Sequence, residues 1–216
     1  MWWDMAPGMR AEFEHWHSHE HFPERLAIPG FCRSSRWTSA TGGEGIFVMY
    51  ELESYEVLSS RGYLASLNAP SPWSTKMMPH HRNMVRCQSR VVASHGGAVA
   101  RQALTVRLSP APGRSEELRA SLRMLTGSLP AQPGLTGAHL LQHEAPPIAQ
   151  TTEQKIRGGD AVADWVLVVV GYEAAALETL AQTELSEASL VARGAAPGTF
   201  SGRYALSYSA IPADMA

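Results

Sequence analysis

Apolar and polar positions along the chain follow two periods, and the order of those periods repeats. Met1-Trp2-Trp3 is strand-like from the first residue, which places the chain start inside a first strand. Pro7-Gly8 then opens a helical stretch from about Met9 to Leu26, with Phe13, Trp16 and His17 or Glu20 near helical spacing. Ile28-Pro29-Gly30-Phe31 closes that helix and leads into a strand. The apolar run Ile46–Leu52 is a further strand, Ser54–Leu67 a second helix, and Asn83–His95 an alternating final strand. Gly42-Gly43-Glu44-Gly45 reads as a hairpin turn.

The same order returns. Pro112-Gly113 lies 105 residues after Pro7-Gly8, and Gln132-Pro133-Gly134-Leu135 lies 104 after the first such string. Between them Leu118, Leu122 and Leu125 form an apolar stripe on a helix from Gly113 to Leu129. A strand at Trp165–Gly171, a helix at Glu173–Val191 and a strand at Gly198–Ser209 complete the second half. Each half is thus β-α-β-β-α-β, an α+β pattern of two domains, 1–100 and 101–216, joined through Ala98–Arg107. Two such sheets, each with helices on one face, can bury their open faces against each other. Two segments break the symmetry: a Pro-rich loop at Asn68–His80 carrying Trp73, and a long polar insertion at Gln142–Asp164.

The first half carries the string Glu12-Phe13-x-x-Trp16-x-x-x-Glu20-His21-x-Pro23-Glu24-Arg25-Leu26-x-x-Pro29-Gly30-Phe31. It resembles the dimeric α/β-barrel superfamily of ferredoxin-like domains, close to its EthD-like and uncharacterised branches. The resemblance implies two tandem ferredoxin-like βαββαβ repeats with antiparallel sheets packed face to face as an α/β barrel. Members include monooxygenases, lactone isomerases, cyclases, aldoxime- and haem-related enzymes, and proteins without known activity, so fold is implied more strongly than reaction. Many relatives place a pocket-facing histidine where His21 stands. The second half has no acid or histidine around Thr126, which makes the first half the site and the second mainly scaffold.

The densest polar cluster is His15, His17, His19, Glu20, His21 and Glu24. His15 with His19 and His17 with His21 are i, i+4 pairs on two helix faces, a spacing that could hold a metal with a carboxylate as third ligand. No further fixed-spacing ligand motif supports a metal, and the favoured reading is that His15 and His19 are solvated and His21 alone points inward. Histidine titrates near neutrality and can serve as acid or base, with Glu20 or Glu24 to orient it. Glu24-Arg25 equally suits a structural ion pair. A second cluster, His80-His81-Arg82-Asn83 with Arg86, lies at the start of a strand. Simple alternation puts His81, Asn83 and Val85 on one face and Arg82, Met84 and Arg86 on the other. Asn83 could meet an oxyanion and Arg86 or Arg82 a carboxylate, while the arginines equally suit ties between sheets or a solvated face. Trp16, His17, Trp73 and His81 are the candidate lining, with Trp73 as a lid.

Composition removes other classes. The chain has 216 residues with 44% hydrophobic and 18% charged positions, enough for a packed core. Its net charge of -2 provides no basic field for nucleic acid or an anionic membrane. Lys76 and Lys155 are the only lysines. No apolar run approaches membrane-span length, and no signal-peptide pattern opens the chain. Cys32 and Cys87 form no disulfide framework or CxxC pair, and both read as small buried residues in a cytoplasmic protein. No P-loop, GxGxxG or GxSxG motif occurs. The reading is a small-molecule enzyme, monomer or homodimer. It uses cofactor-free, metal-free acid–base chemistry of isomerase, lyase or cyclase type on an apolar or aromatic substrate. His21, Glu20, Glu24, Asn83 and Arg86 are its catalytic candidates. The rivals are a non-catalytic binder or scaffold and a haem- or metal-dependent enzyme.

Overall fold

A computed structural model describes residues 1–215. In chain order its main elements are β1 (Trp2–Met5), α1 (Arg10–Trp16), a π-helical turn (His17–His21), α2 (Phe22–Leu26), β2 (Phe31–Ser39), β3 (Gly45–Leu52), α3 (Arg61–Asn68), α4 (Pro72–Met77), β4 (His81–Val85) and β5 (Ser89–Gly96). They continue as β6 (Gln102–Leu108), α5 (Ser115–Ser128), β7 (Leu135–His143), α6 (Thr152–Arg157), β8 (Trp165–Gly171), α7 (Ala174–Gln182), α8 (Glu187–Ala192) and β9 (Phe200–Ala210). The fold is α+β, and the strand pairs within each unit are antiparallel.

The chain forms two compact units. The first holds Met1–Gln88, Ala145–Val162 and the chain end from Ser207; the second holds Ser89–Glu144 and Ala163–Leu206. These bounds differ from a single cut at 100/101. Part of the polar insertion belongs with the first unit, and β5 belongs with the second.

In the first unit the strand order is β4-β1-β3-β2, followed by the end of β9. Ser35 and Ser209 share a hydroxyl hydrogen bond of 2.9 Å at that last pairing. One core gathers Trp3, Met5, Phe13, Trp16, Phe22, Ile46, Val48 and Met77, and a second gathers Leu26, Ile28, Phe31, Leu58, Tyr63 and Leu67. The Pro-rich segment is a helix, not the expected loop. Ser71 accepts a hydrogen bond from the Ser74 N–H at 2.9 Å, and Pro72 occupies the first turn, where its missing N–H costs nothing. The expected helix at 54–67 is a 3-10 turn, Tyr55–Ser59, and then α3 capped by Ser60. Cys32 is exposed, not buried as expected, and Cys87 is half-buried; neither is in a disulfide.

The expected strand Asn83–His95 is two strands. Register along β1 and β4 slips between Trp2↔Val85 and Asp4↔Arg82. Asn83 sits at that bulge with φ +55, the one non-glycine residue described there with positive φ. Asparagine tolerates this conformation at lower cost than most residues. Arg86 then leaves the strand: its N–H donates to Ala161 O, and the Ala161 N–H donates to Met84 O, both at 2.9 Å. The insertion is therefore tied to β4 by backbone bonds.

The second unit has the order β9-β6-β8-β7, with β5 outside β7. Leu118, Leu122 and Leu129 of and beside α5 are buried against Leu104, Val106, Leu140 and Leu167. Full burial of each leucine contributes about 1.5–3 kcal/mol. The expected helix at 173–191 is divided into α7 and α8 by a turn at which Ser186 caps α8. No helix among the described residues is long and apolar enough to cross a membrane.

Gly113 and Gly134 both need left-handed backbone, with φ +76 and +88. A Cβ on Gly113 would meet nothing within 4 Å, whereas one on Gly134 would lie 2.6 Å from the Ala176 Cβ. Gly113→Ala should therefore cost about 1 kcal/mol from backbone strain alone, and Gly134→Ala about 3. Urea unfolding of both variants checks the order; equal losses would remove packing as the reason for Gly134.

Candidate functional site: a buried histidine cluster in the first unit

The helix that enters the site cannot be a plain α-helix. Its buried residues are Phe13, Trp16, His17, His21, Phe22, Arg25 and Leu26. The rows 13–17–22–26 and 16–21–25 each contain a step of five, which a 3.6-residue period turns away from the core. The π-helical turn absorbs the extra residue, with the Phe22 N–H donating to His17 O. That wider turn brings His17 and His21 into register on one face. Their rings stack with centroids 5.2 Å apart at 28°.

The two imidazoles are enclosed by aromatic side chains. Trp16 lies 4.6 Å from His21, Phe22 4.2 Å from His17, and Phe13 4.9 Å from His17, between ring centroids. His81 joins from β4, 4.9 Å from the Trp3 ring and 6.0 Å from Trp16. Its Nδ1 is 3.1 Å from Met78 O, and because a carbonyl only accepts, Nδ1 carries the proton. His17 is 2% exposed and His21 8%.

Burial holds all three rings neutral. It pushes His17 and His21 well below the ordinary histidine value, helped for His17 by His21 and Arg36 and for His21 by Arg25 and His81. His81 is lowered to about 3, again mainly by burial, with Arg157 adding to it. The Nδ1 atoms of His17 and His21 are enclosed without a hydrogen-bond partner. Leaving such an atom unpaired costs about 1–3 kcal/mol. Glu24 Oε2 is also enclosed without a partner and stands 3.9 Å from His21 Nδ1. Its other oxygen, Oε1, accepts from the Ser66 hydroxyl and from Arg25 Nη1 at 3.2 Å. Glu24 is thus anchored on one oxygen and aimed at His21 with the other.

A charged group flanks the cluster. Arg25 pairs with Glu153, whose second oxygen is 3.6 Å from Arg157, which holds Asp160 at 3.0 Å. Burial opposes the Arg25 charge, but Glu153 and Glu24 outweigh it and raise the guanidinium above its usual value. The insertion therefore contributes α6 to this unit. Thr151 and Gln154 form a capping box at its start.

Of the residues expected from sequence, the structure brings together His21, Glu24, Trp16, His17 and His81. It places the other four elsewhere. Glu20 accepts from Trp16 Nε1 at 3.0 Å and from the Ser71 and Ser74 hydroxyls, so it braces the tryptophan and α4, not His21. Asn83 is exposed and donates to Asp4 Oδ2 at 2.9 Å, because the bulge breaks the alternation that would have turned it inward. Met84 packs on the aromatic core from that strand. Arg86 donates to the Tyr63 hydroxyl at 2.9 Å. Trp73 lies on α4, half-buried, donating to Glu12 Oε1 at 3.3 Å beside His15. His15 and His19 are exposed and face each other at 4.4 Å. Phe22, one of the aromatics of the helical stretch, joins this enclosure, as do Trp3 and Phe13, which the sequence does not single out as lining. Among the described residues, no three histidine, cysteine or acidic side chains lie where they could share a metal ion.

No protein-family model matches the sequence, and no curated protein matches it. Solved structures match along nearly the whole chain. An anthrone oxidase-like protein superposes with a TM-score of 0.63 at 14% identity, covering 97% of this chain and 90% of its own. A candidate monooxygenase from Fusobacterium nucleatum gives 0.61 at 6% identity, covering 96% and 90%. A candidate monooxygenase from Lactobacillus acidophilus gives 0.58 at 10% identity, covering 98% and 93%. At these identities the likeness is one of fold.

Proposed function

We propose that this chain is a small-molecule enzyme whose first unit carries the site, and that His21 moves a proton on an apolar or aromatic substrate. The observation that supports this most is the facing pair of enclosed, unpartnered atoms, His21 Nδ1 and Glu24 Oε2, 3.9 Å apart. In the resting protein the neutral ring has no need of the carboxylate. When the other ring nitrogen takes a proton from a carbon acid, Nδ1–H becomes a donor on a cation. Closing the gap by about 1 Å then makes a charge-assisted hydrogen bond that stabilises the imidazolium. His17 and His81 stay neutral, and the rings of Trp16, Phe13 and Trp3 supply apolar surface for a flat substrate. The chemistry is proton abstraction followed by isomerisation, elimination or ring closure, without a cofactor.

The same reading takes the two units as tandem ferredoxin-like repeats of an α/β barrel, near the EthD-like branch of that superfamily. It is supported by the matching strand orders, β4-β1-β3-β2 and β9-β6-β8-β7. Gly8 and Gly113 also share φ +76. The second unit is scaffold for this reaction, and the protein acts in the cytoplasm as a monomer or homodimer. The tight enclosure of His17 favours one alternative, a binder that holds the ligand without turnover. A haem- or metal-dependent enzyme would declare itself by a visible band or bound metal in the purified protein.

Anthrone, the compound named for one structural neighbour, and related hydroxylated aromatic ketones are the first probes, because their activated C–H bond suits a histidine base. His21→Gln should retain the fold and lose about 10²–10⁴-fold in turnover, and Glu24→Gln should lose less. Binding without turnover in the unsubstituted protein would establish the binder. Normal turnover by His21→Gln would remove the proton-transfer role.

A further inference from the structure

We propose that Ser94 and His139 of the second unit form a second reactive site, a serine nucleophile with its own base, acting on small activated esters. The pair sits on neighbouring strands, where Ser94 of β5 lies directly opposite His139 of β7. Ser94 Oγ is 2.7 Å from His139 Nδ1, and His139 Nε2 is 3.1 Å from Gly97 O. A carbonyl oxygen can only accept, so the proton of the neutral ring is on Nε2. Nδ1 therefore presents its lone pair, and Ser94 donates to it. Nucleophile, base and orienting acceptor stand in the order that activates serine in hydrolases of unrelated folds.

Exposure divides between the two groups as this chemistry requires. Ser94 is exposed and His139 is 5% exposed. Burial lowers the imidazole below its ordinary value, against the Gly97 hydrogen bond, and keeps it unprotonated at neutral pH. The orienting carbonyl is placed by glycines. A Cβ on Gly137 would lie 1.9 Å from Gly97 O, and one on Gly96 (φ +76) would lie 2.1 Å from Thr136 O. Any side chain at either position would move the backbone that carries the acceptor. A bulge between Val91 and Ala93 precedes the serine, a device that re-aims side chains next to reactive sites. β5 ends the strand order of its unit, so in the described residues no strand pairs with its outer edge.

In the reaction Ser94 Oγ bonds to the acyl carbon and the bond from that carbon to the leaving alcohol breaks. His139 Nδ1 takes the hydroxyl proton and passes it to the leaving oxygen. Water, deprotonated by the same nitrogen, then cleaves the acyl-serine and restores both groups. A fluorophosphonate traps the first half: the O–P bond forms, the P–F bond breaks, and fluoride leaves.

The test is a fluorophosphonate probe added to the full-length protein, with the adduct located by peptide mass spectrometry. One phosphonyl group on Ser94 is expected, formed more slowly as pH falls and His139 protonates. Ser94→Ala, an exposed change that should not disturb folding, should abolish it. His139→Gln should slow it at least about 100-fold. His21→Gln should leave it unchanged, which separates this site from the one in the first unit. No adduct on the unsubstituted protein, an adduct on another residue, or labelling that persists in Ser94→Ala would overturn the proposal.

Discussion

Lowering the pH from 7.5 to 5.5 should remove about 4 kcal/mol of stability, a loss set by His17, His21 and His81. In the unfolded chain each imidazole takes a proton near pH 6.5. In the folded protein burial refuses it, and His81 holds out to about pH 3. Above pH 6.5 the rings are neutral in both states and contribute no pH dependence. Below it the unfolded chain binds protons that the folded chain does not, so stability falls with pH. The slope is about 1.4 kcal/mol per pH unit for each ring, and three rings give about 4. His139 moves in the same direction. Most carboxylates remain ionised throughout this window, so their acid unfolding does not overlap it. The thermal midpoint should drop by about 8–16 °C. His17→Phe, which keeps the aromatic volume and removes one titrating group, should flatten the slope by roughly a third. A midpoint that does not move between pH 7.5 and 5.5 would show that the histidines are hydrated, and with them the premise of an apolar site would fall.

The three rings were legible in the sequence as candidates; their setting was not. His17, His21 and His81 were identified by residue type and by their place near a helix end and a strand start. Their common enclosure depends on the π-helical turn, and the signal for it is a step of five between apolar positions inside one helix. A fixed 3.6-residue period cannot register such a step. It reads Glu20 as the neighbour of His21, whereas the turn sends Glu20 to Trp16 and the Ser71–Ser74 corner. Asn83 departs from its expected face for a related reason. Alternation assumes an unbroken strand, and only an αL residue at a bulge shows that the count restarts. By contrast the Leu118-Leu122 stripe and the paired Pro-Gly turns were legible, because each depends on residues close in sequence. The Pro-rich segment looks like a loop when Pro72 counts as a breaker, but Ser71 in front of it makes it a helix opener.

The partner of Arg25 could not have been read from sequence either, since Glu153 is 128 residues away. Replacing Glu153 with glutamine should destabilise the first unit by about 3–5 kcal/mol. The side chains of Arg25 and Glu153 are 3% and 4% exposed, so water cannot take over when one charge is removed. In Glu153→Gln, Arg25 keeps Glu24 and Ser66 but loses its main counter-charge, and Arg157 loses one of its two acidic neighbours. The reverse deletion is gentler: in Arg25→Met, Glu153 still faces Arg157 at 3.6 Å. Because the ion pair itself is worth little against an apolar pair of similar volume, Arg25→Met with Glu153→Met should recover most of the loss. Adding Glu153→Met to these variants closes the cycle with Arg25→Met, and urea unfolding then measures the coupling. The same bond fastens α6 within its unit, so Glu153→Gln should also open residues 145–162 to limited proteolysis, while the double variant protects them. If the single and double variants are equally unstable, the damage lies in packing around α6 and not in a stranded charge. If Glu153→Gln costs under about 1 kcal/mol, the pair is hydrated like an exposed salt bridge. The insertion would then be held by the Ala161 backbone bonds and the Asn68 side chain that accepts from the Thr152 N–H at 3.1 Å.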